Sequence, residues 1–253
     1  MLGHAVGDQL VVFDDQDLGH CILSLVSRSE YEELRAAFTA AVSHELRTPL
    51  ARLLALLESA ELPGADQPAL LAQARDEVEE MTELVDDILF LSELEQGREV
   101  VSLGETEAAP LLRALVDEKL ERAELAGIRL EIQIEDEELL VPLRRRMLRT
   151  VADNLLENAI RYAGEGATCV VALRREDGEV VLEVSDDGAG VPEEDAPRLF
   201  ERFFRSDRAR TTRGSGLGLA IVKHVVETAG GNVEARGSSG HGLDVRCAFP
   251  ADG

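Results

Sequence analysis

Phe38-Thr39-Ala40-Ala41-Val42-Ser43-His44-Glu45-Leu46-Arg47-Thr48-Pro49-Leu50 is the stretch from which the rest of the chain is read. At ~100° per residue, Val42, Leu46, Leu50, Leu53 and Leu57 fall on one side of a helix. His44, Arg47 and Ala51 point the other way, with His44 roughly 160° from the centre of the apolar stripe. Taken alone, one His standing out from an amphipathic helix is a solvated surface residue. Whether it is more depends on what surrounds it.

Outward from this stretch, a helical pattern starts near Ser29, a candidate cap ahead of Glu30, Glu32 and Glu33, and runs to about Glu61. Leu62-Pro63-Gly64-Ala65-Asp66-Gln67-Pro68 breaks it, and a second helix is expected to about Gln96. Its residues Leu70, Ala74, Val78, Met81, Val85 and Ile88 form an apolar stripe, with Asp76, Glu79, Glu83 and Asp87 opposite. The two helices make an antiparallel hairpin, too thin to bury its stripes alone. Pairing two hairpins into a four-helix bundle would bury them and make a homodimer; the alternative is packing on the C-terminal part of the same chain. Before the hairpin, residues 1–28 hold two short apolar runs around a turn-rich segment, the pattern of a β-hairpin.

Beyond Gly97 the pattern changes. A helix over Ala108–Ala126, ended by Gly127, precedes a strand in which Ile128, Leu130, Ile132 and Ile134 alternate with charged or polar residues. A helix through Tyr162, strands at Thr168–Leu173 and Val180–Val184, a long loop, a helix from about Leu217 and two closing strands at Val233–Ala235 and Leu243–Phe249 follow. This predicts a two-layer α/β sandwich after an all-α hairpin.

Composition bounds the partners. The 253 residues are 45% apolar and 30% charged, a globular balance, and carry a formal charge of −24. Such a chain has nothing basic with which to release counterions from a nucleic-acid backbone, so no nucleic-acid partner is expected. Cys21, Cys169 and Cys247 lie far apart, without metal-ligand spacing. No apolar run approaches the roughly 18 residues of a membrane-spanning helix. A cytoplasmic chain with no membrane segment is therefore expected, compatible with a longer membrane-anchored parent.

Four places in the sandwich could carry chemistry. In Asp153-Asn154-Leu155-Leu156-Glu157-Asn158-Ala159-Ile160-Arg161-Tyr162, Asn154 and Asn158 share one helix face, although Asn is a poor interior helix former. Solvent exposure or capping would explain them; so would a carboxamide oxygen on Mg²⁺. In Ser185-Asp186-Asp187-Gly188-Ala189-Gly190, directly after a strand, the simple reading is a turn. The alternative is a buried carboxylate that accepts from an adenine amine, with glycines admitting the base. Leu199-Phe200-Glu201-Arg202-Phe203-Phe204-Arg205 reads as a small hydrophobic plug, and the polar loop behind it, with Arg208, Arg210 and Arg213, suits a lid over an anion. Gly214-Ser215-Gly216-Leu217-Gly218 opens a helix, where N–H groups at the positive end can converge on phosphate.

These elements, in this order, resemble the sensor histidine kinases of bacterial two-component systems, and the resemblance covers roughly Phe38 to Pro250. Ser43-His44-Glu45-Leu46-Arg47-Thr48-Pro49-Leu50 is similar to their phosphoacceptor box. The paired Asn helix, Asp186-x-Gly188-x-Gly190, the Phe-rich segment and Gly214-x-Gly216-x-Gly218 are similar to their ATP-binding motifs. Arg161 departs mildly, standing where the family usually has Lys. The resemblance implies residues 1–28 as a hairpin similar to the end of a PAS sensor, residues 29–97 as a dimerisation and phosphotransfer domain, and residues 98–253 as a Bergerat-type ATP-binding domain. It implies His44 as phosphoacceptor, Glu45 as the group activating its ring, and Thr48 as an aid to dephosphorylating the partner. ATP would bind with adenine at Asp186, Gly188 and Gly190, Mg²⁺ on Asn158, and phosphates at Gly214, Gly216, Leu217 and Gly218. Asn154, Arg161, Tyr162 and Arg205 would complete the nucleotide contacts. The implied partners are a second copy and a response-regulator receiver domain. A gyrase- or chaperone-like ATPase of the same superfamily, or a non-catalytic nucleotide-sensing dimer scaffold, are the alternatives.

Overall fold

In the computed structural model, residues 39–96, 104–206 and 214–251 are described. The expected hairpin of residues 1–28, the cap at Ser29 and the arginines Arg208, Arg210 and Arg213 lie outside them. Residues 1–47 and 48–253 are two compact units.

The helix read from the opening stretch spans residues 39–60 (α1) with no interruption at Pro49. His44 and Thr48 are exposed, Glu45 is half-buried and Pro49 is buried. After the break comes α2 (Gln67–Glu95), whose start is chemically marked: the Asp66 side chain accepts from the Ala69 N–H at 3.2 Å. Pro68 sits in the first turn, where a missing N–H costs nothing.

The covered face of α2 differs from the expected stripe. Val78 and Val85 are exposed, whereas Ala74, Glu77, Leu84, Leu91 and Leu94 are buried. The reason is tertiary: α2 packs against α5 (Gly218–Thr228) of its own unit and Glu77 pairs with Arg52 of α1 at 3.8 Å, which together turn the covered face by about one residue from the apolar stripe. Val78, Val85 and Leu89 remain as a second apolar line along the same helix.

The sandwich follows from the alternation. A five-stranded sheet runs β2 (Arg129–Ile134), β4 (Thr168–Glu176), β5 (Glu179–Asp186), β7 (Leu243–Pro250), β6 (Asn232–Gly237). Only β2–β4 is parallel. Helix α4 (Arg145–Tyr162) packs against both α3 (Ala108–Leu125) and α5, and all three helices contact the sheet. Leu112 and Leu115 of α3, Leu148 and Leu155 of α4, and Val222 and Val225 of α5 are buried, as are Val171, Leu182 and Phe249 from the sheet. Lys119 of α3 bridges to Asp153 at 2.8 Å and Glu157 at 2.6 Å on α4. Burial works against the Lys119 charge, but these hydrogen bonds outweigh it and hold its ammonium above the ordinary lysine value. A two-stranded ribbon of β1 (Thr106–Glu107) and β3 (Leu140–Val141), pinned by Thr106 Oγ1 donating to the Leu143 carbonyl at 2.7 Å, was not expected from sequence.

Candidate nucleotide site and phosphoacceptor helix

Three segments meet beside the sheet: the second half of α4, the turn leaving β5, and the Gly214–Leu217 turn that starts α5. Asp186 is the last residue of β5, paired with Cys169 of β4 and Leu243 of β7. The carboxylate accepts from the Gly188 N–H at 3.0 Å and from the Leu243 N–H. Burial nevertheless raises its pKa above the ordinary aspartate value, ahead of the lowering by those hydrogen bonds. A half-buried carboxylate at the end of a strand can accept a hydrogen bond from an amine.

The glycines after Asp186 serve the protein before any ligand. A Cβ on Gly188 would lie 2.1 Å from the Ala163 carbonyl oxygen, and one on Gly242 would lie 1.7 Å from that of Asp186. The close neighbours of a Cβ on Gly188 would be backbone at the C-terminal end of α4, and those of one on Gly190 would be Ser238 and Gly242, so the fold itself requires glycine at both positions, whatever else they admit. The chain needs bare backbone here because the Ala189 N–H must reach the Ala163 carbonyl, at 2.8 Å. That bond fixes the Asp186 turn against α4.

The same holds at the second glycine run. A Cβ on Gly214 would meet the Tyr162 hydroxyl at 2.5 Å and Arg161 at 3.0 Å, and one on Gly218 would meet Asn154 Oδ1 at 2.4 Å. Gly216, with φ +68°, lies against Phe203, itself held at φ +62°; the Phe203 N–H donates to the Gly216 carbonyl at 3.0 Å. The turn is thus laid directly on the α4 face that carries Asn154, Arg161 and Tyr162. Leu217 is buried at the cap of α5, and Ser215 Oγ accepts from its N–H at 3.2 Å.

Asn154 Nδ2 donates to the Thr150 carbonyl at 2.9 Å, so its carboxamide oxygen faces the Gly218 turn. Asn158, one turn further, is half-buried. Arg205 is half-buried at the end of the Phe-rich segment, where Phe204 lies under the Arg198 guanidinium at 4.2 Å. The structure therefore brings together Asn154, Arg161, Tyr162, Gly214, Gly216, Leu217 and Gly218, and joins the Asp186–Gly190 turn to the end of the same helix. His44 and Glu45 belong to the other compact unit.

Sequence reasoning missed residues of α2 that reach this site. The Gly214 N–H donates to Glu80 at 3.2 Å, Ser215 Oγ donates to Asp87 at 2.9 Å, and Arg161 pairs with Glu83 at 3.9 Å. The sequence pattern places Glu83 and Asp87 opposite the apolar stripe of α2 and gives them no partner on the C-terminal part. The available signal was the seven-residue interval that Glu80 and Asp87 share with Leu84 and Leu91, which marks one helix face.

With this geometry in view, two family models match in the order the motifs run. Residues 34–97 match the His Kinase A (phospho-acceptor) domain, and residues 144–253 match the histidine kinase-, DNA gyrase B- and HSP90-like ATPase. The chain belongs to the sensor histidine kinases. This kinase core is 31% identical over 98% of its length to the alginate biosynthesis sensor protein KinB of Pseudomonas aeruginosa, of which it covers 40%. It is also 31% identical over 98% of its length to the sensor-like histidine kinase SenX3 of Mycobacterium tuberculosis, of which it covers 62%. It thus spans less than two thirds of these relatives. Among solved structures, the histidine kinase ThkA in complex with the response regulator protein TrrA shares the fold, with a TM-score of 0.71 and 22% identity over 94% of this chain and 68% of that one. No helix among the described residues is long and apolar enough to cross a membrane.

Proposed function

We propose that this kinase core transfers the γ-phosphoryl group of ATP to His44 and passes it to an aspartate on a response-regulator receiver domain. The observation that carries the reading is the joining of two features in one chain. An exposed His stands on a helix matched by the phospho-acceptor model, and a carboxylate, a paired Asn face and a glycine turn are gathered around one end of α4 in the ATPase-matched part.

The residues fit ATP chemically. Asp186 offers an acceptor to the exocyclic amine, Tyr162 an aromatic ring, and Arg161 with the N–H groups of residues 214–218 a positive end for phosphates. Among the described residues no three His, Cys, Asp or Glu side chains could hold a metal together. A divalent ion would instead be held by the Asn158 carboxamide with substrate phosphates and water, the manner in which Mg²⁺ prefers to bind. Mg²⁺ there would neutralise charge on the transferring group.

In the transfer, a neutral ring nitrogen of His44 forms the P–N bond as the γ-phosphorus–oxygen bond breaks and ADP leaves. Glu45 accepts from the other ring nitrogen, which keeps the attacking one unprotonated. Thr48, exposed one turn further, orients water for dephosphorylating the receiver aspartate. Residues 29–97 act as the dimerisation and phosphotransfer domain and residues 98–253 as the catalytic domain. The exposed line of Val78, Val85 and Leu89 supports a second copy as the dimer partner.

An ATP-hydrolysing reading lacks its base, because Asn154 stands where such enzymes need a carboxylate to activate water. A scaffold that only senses nucleotide would give no multiple turnover to a receiver. The test is incubation with γ-labelled ATP. Wild type should acquire acid-labile, base-stable label, and His44→Gln should acquire none. Label persisting in His44→Gln would overturn the assignment.

A further inference from the structure

Three carboxylates of α2 reach Arg161 and the Gly214–Ser215 turn, the place assigned above to nucleotide phosphates. Glu80, Glu83 and Asp87 lie within about 60° of arc at ~100° per residue. Glu80 meets the Gly214 N–H, Glu83 the Arg161 guanidinium and Asp87 the Ser215 hydroxyl. The contact extends well beyond these three. Leu84 and Leu91 are buried on the same side of the helix, α2 packs along α5, and Phe90 lies under Arg146 at 5.7 Å. Glu95, at the end of α2, pairs with Arg202 of the Phe-rich segment. The helix is seated by apolar contacts and presents its acids to the turn.

We infer that Glu80, Glu83 and Asp87 stand in for phosphate at the Gly214–Ser215 turn and Arg161, so that α2 and ATP compete for one site and each must leave for the other to bind. This rests on the nucleotide reading of that turn. The chemistry is like for like: three anionic carboxylates with oxygen acceptors occupy donors that would otherwise meet anionic phosphate oxygens. Both sets cannot be present, because their charges repel and their acceptors need the same N–H, hydroxyl and guanidinium groups. Seated α2 therefore taxes nucleotide affinity by the fraction of molecules in which the turn is free. The coupling is reciprocal: any signal that turns α2 away from α5 tightens ATP binding, and ATP favours the released helix by the same factor.

The distribution of groups suits a latch more than a permanent joint. Glu83 is two thirds exposed in its pair with Arg161, so water weakens that contact. Asp87 is half-buried; burial raises its pKa ahead of the lowering by Ser215, so its seating carries a cost that release recovers. Leu84 and Leu91 supply the opposing pull.

The experiment measures the affinity of a non-hydrolysable ATP analogue with Mg²⁺ by calorimetry, on the whole chain. The triple variant Glu80→Gln/Glu83→Gln/Asp87→Asn keeps the side-chain shapes and removes the charges. It should bind roughly tenfold tighter than wild type, as expected if about nine in ten wild-type molecules are latched. A second variant, Asp87→Cys/Ser215→Cys, should close a disulfide on oxidation, lose analogue binding and regain it on reduction. Unchanged or weaker binding in the triple variant, or full binding by the oxidised disulfide form, would overturn the competition. Asp186→Asn is the control for the site itself. It should abolish binding in both wild-type and triple-variant backgrounds; if it does not, the nucleotide reading fails, and the competition with it.

Discussion

At the scale of single residues, the glycines of both loops are explained by protein neighbours. Gly216 is the sharpest case, because its φ of +68° and the 2.9 Å approach to the Phe203 backbone both forbid a side chain. Gly216→Ala should cost more than the ~1 kcal/mol of a plain left-handed glycine replacement. Gly240→Ala is the matched comparison, with φ +80° and open space around it. Urea denaturation of both variants measures the difference, and equal losses would mean that the Phe203 contact is slack. Cys169 and Cys247 give the pH prediction. Burial pushes both thiols up to about 12, above the ordinary value of 9.0. A raised folded-state pKa leaves stability intact below pH 9 and removes it as pH climbs from 9 towards 12, because only the unfolded chain ionises freely. Melting temperatures taken across that window should fall less steeply in Cys169→Ala/Cys247→Ala than in wild type.

At the scale of elements, sequence was most informative where a long period repeats. The 3.6-residue period gave α1, α2 and α4, and the strict alternation of Leu130, Ile132 and Ile134 gave β2, half-buried as expected. Two things were hidden. The β1–β3 ribbon has two residues per strand, too few to display any period. The seated face of α2 mixes Glu77, Glu80 and Asp87 with Leu84 and Leu91, so a reading by apolarity chose the neighbouring line of valines. Glycine motifs were legible as positions and illegible as causes, since a sequence cannot say whether the close neighbour is ligand or chain. One element-scale proposal concerns α1. Pro49 cannot donate to the Glu45 carbonyl, a defect worth about 3 kcal/mol in an ordinary helix interior, yet the helix continues through it. We propose that this defect lets α1 bend at the acceptor site. Pro49→Ala should stiffen the turn and slow autophosphorylation or receiver dephosphorylation several-fold; two unchanged rates would dismiss the idea.

At the scale of the whole molecule, α2 has two faces. One is already covered by α5, and the other shows Val78 at 49% and Val85 at 41% exposure, which a second chain would cover. Val78→Asp/Val85→Asp should convert a dimer to monomer in sedimentation equilibrium while leaving the sandwich folded by circular dichroism. A variant that still dimerises would place the interface elsewhere.

The hydrogen bond from the Phe203 N–H to the Gly216 carbonyl joins residues on either side of the arginine-bearing segment. A clasp at the base separates the length of that segment from the geometry of the site. Doubling such a span adds only about 0.6 kcal/mol of closure entropy. The turn on α4 is thus set by Phe203 and Gly216, which flank the segment, and a changed segment length leaves their hydrogen bond to be made as before.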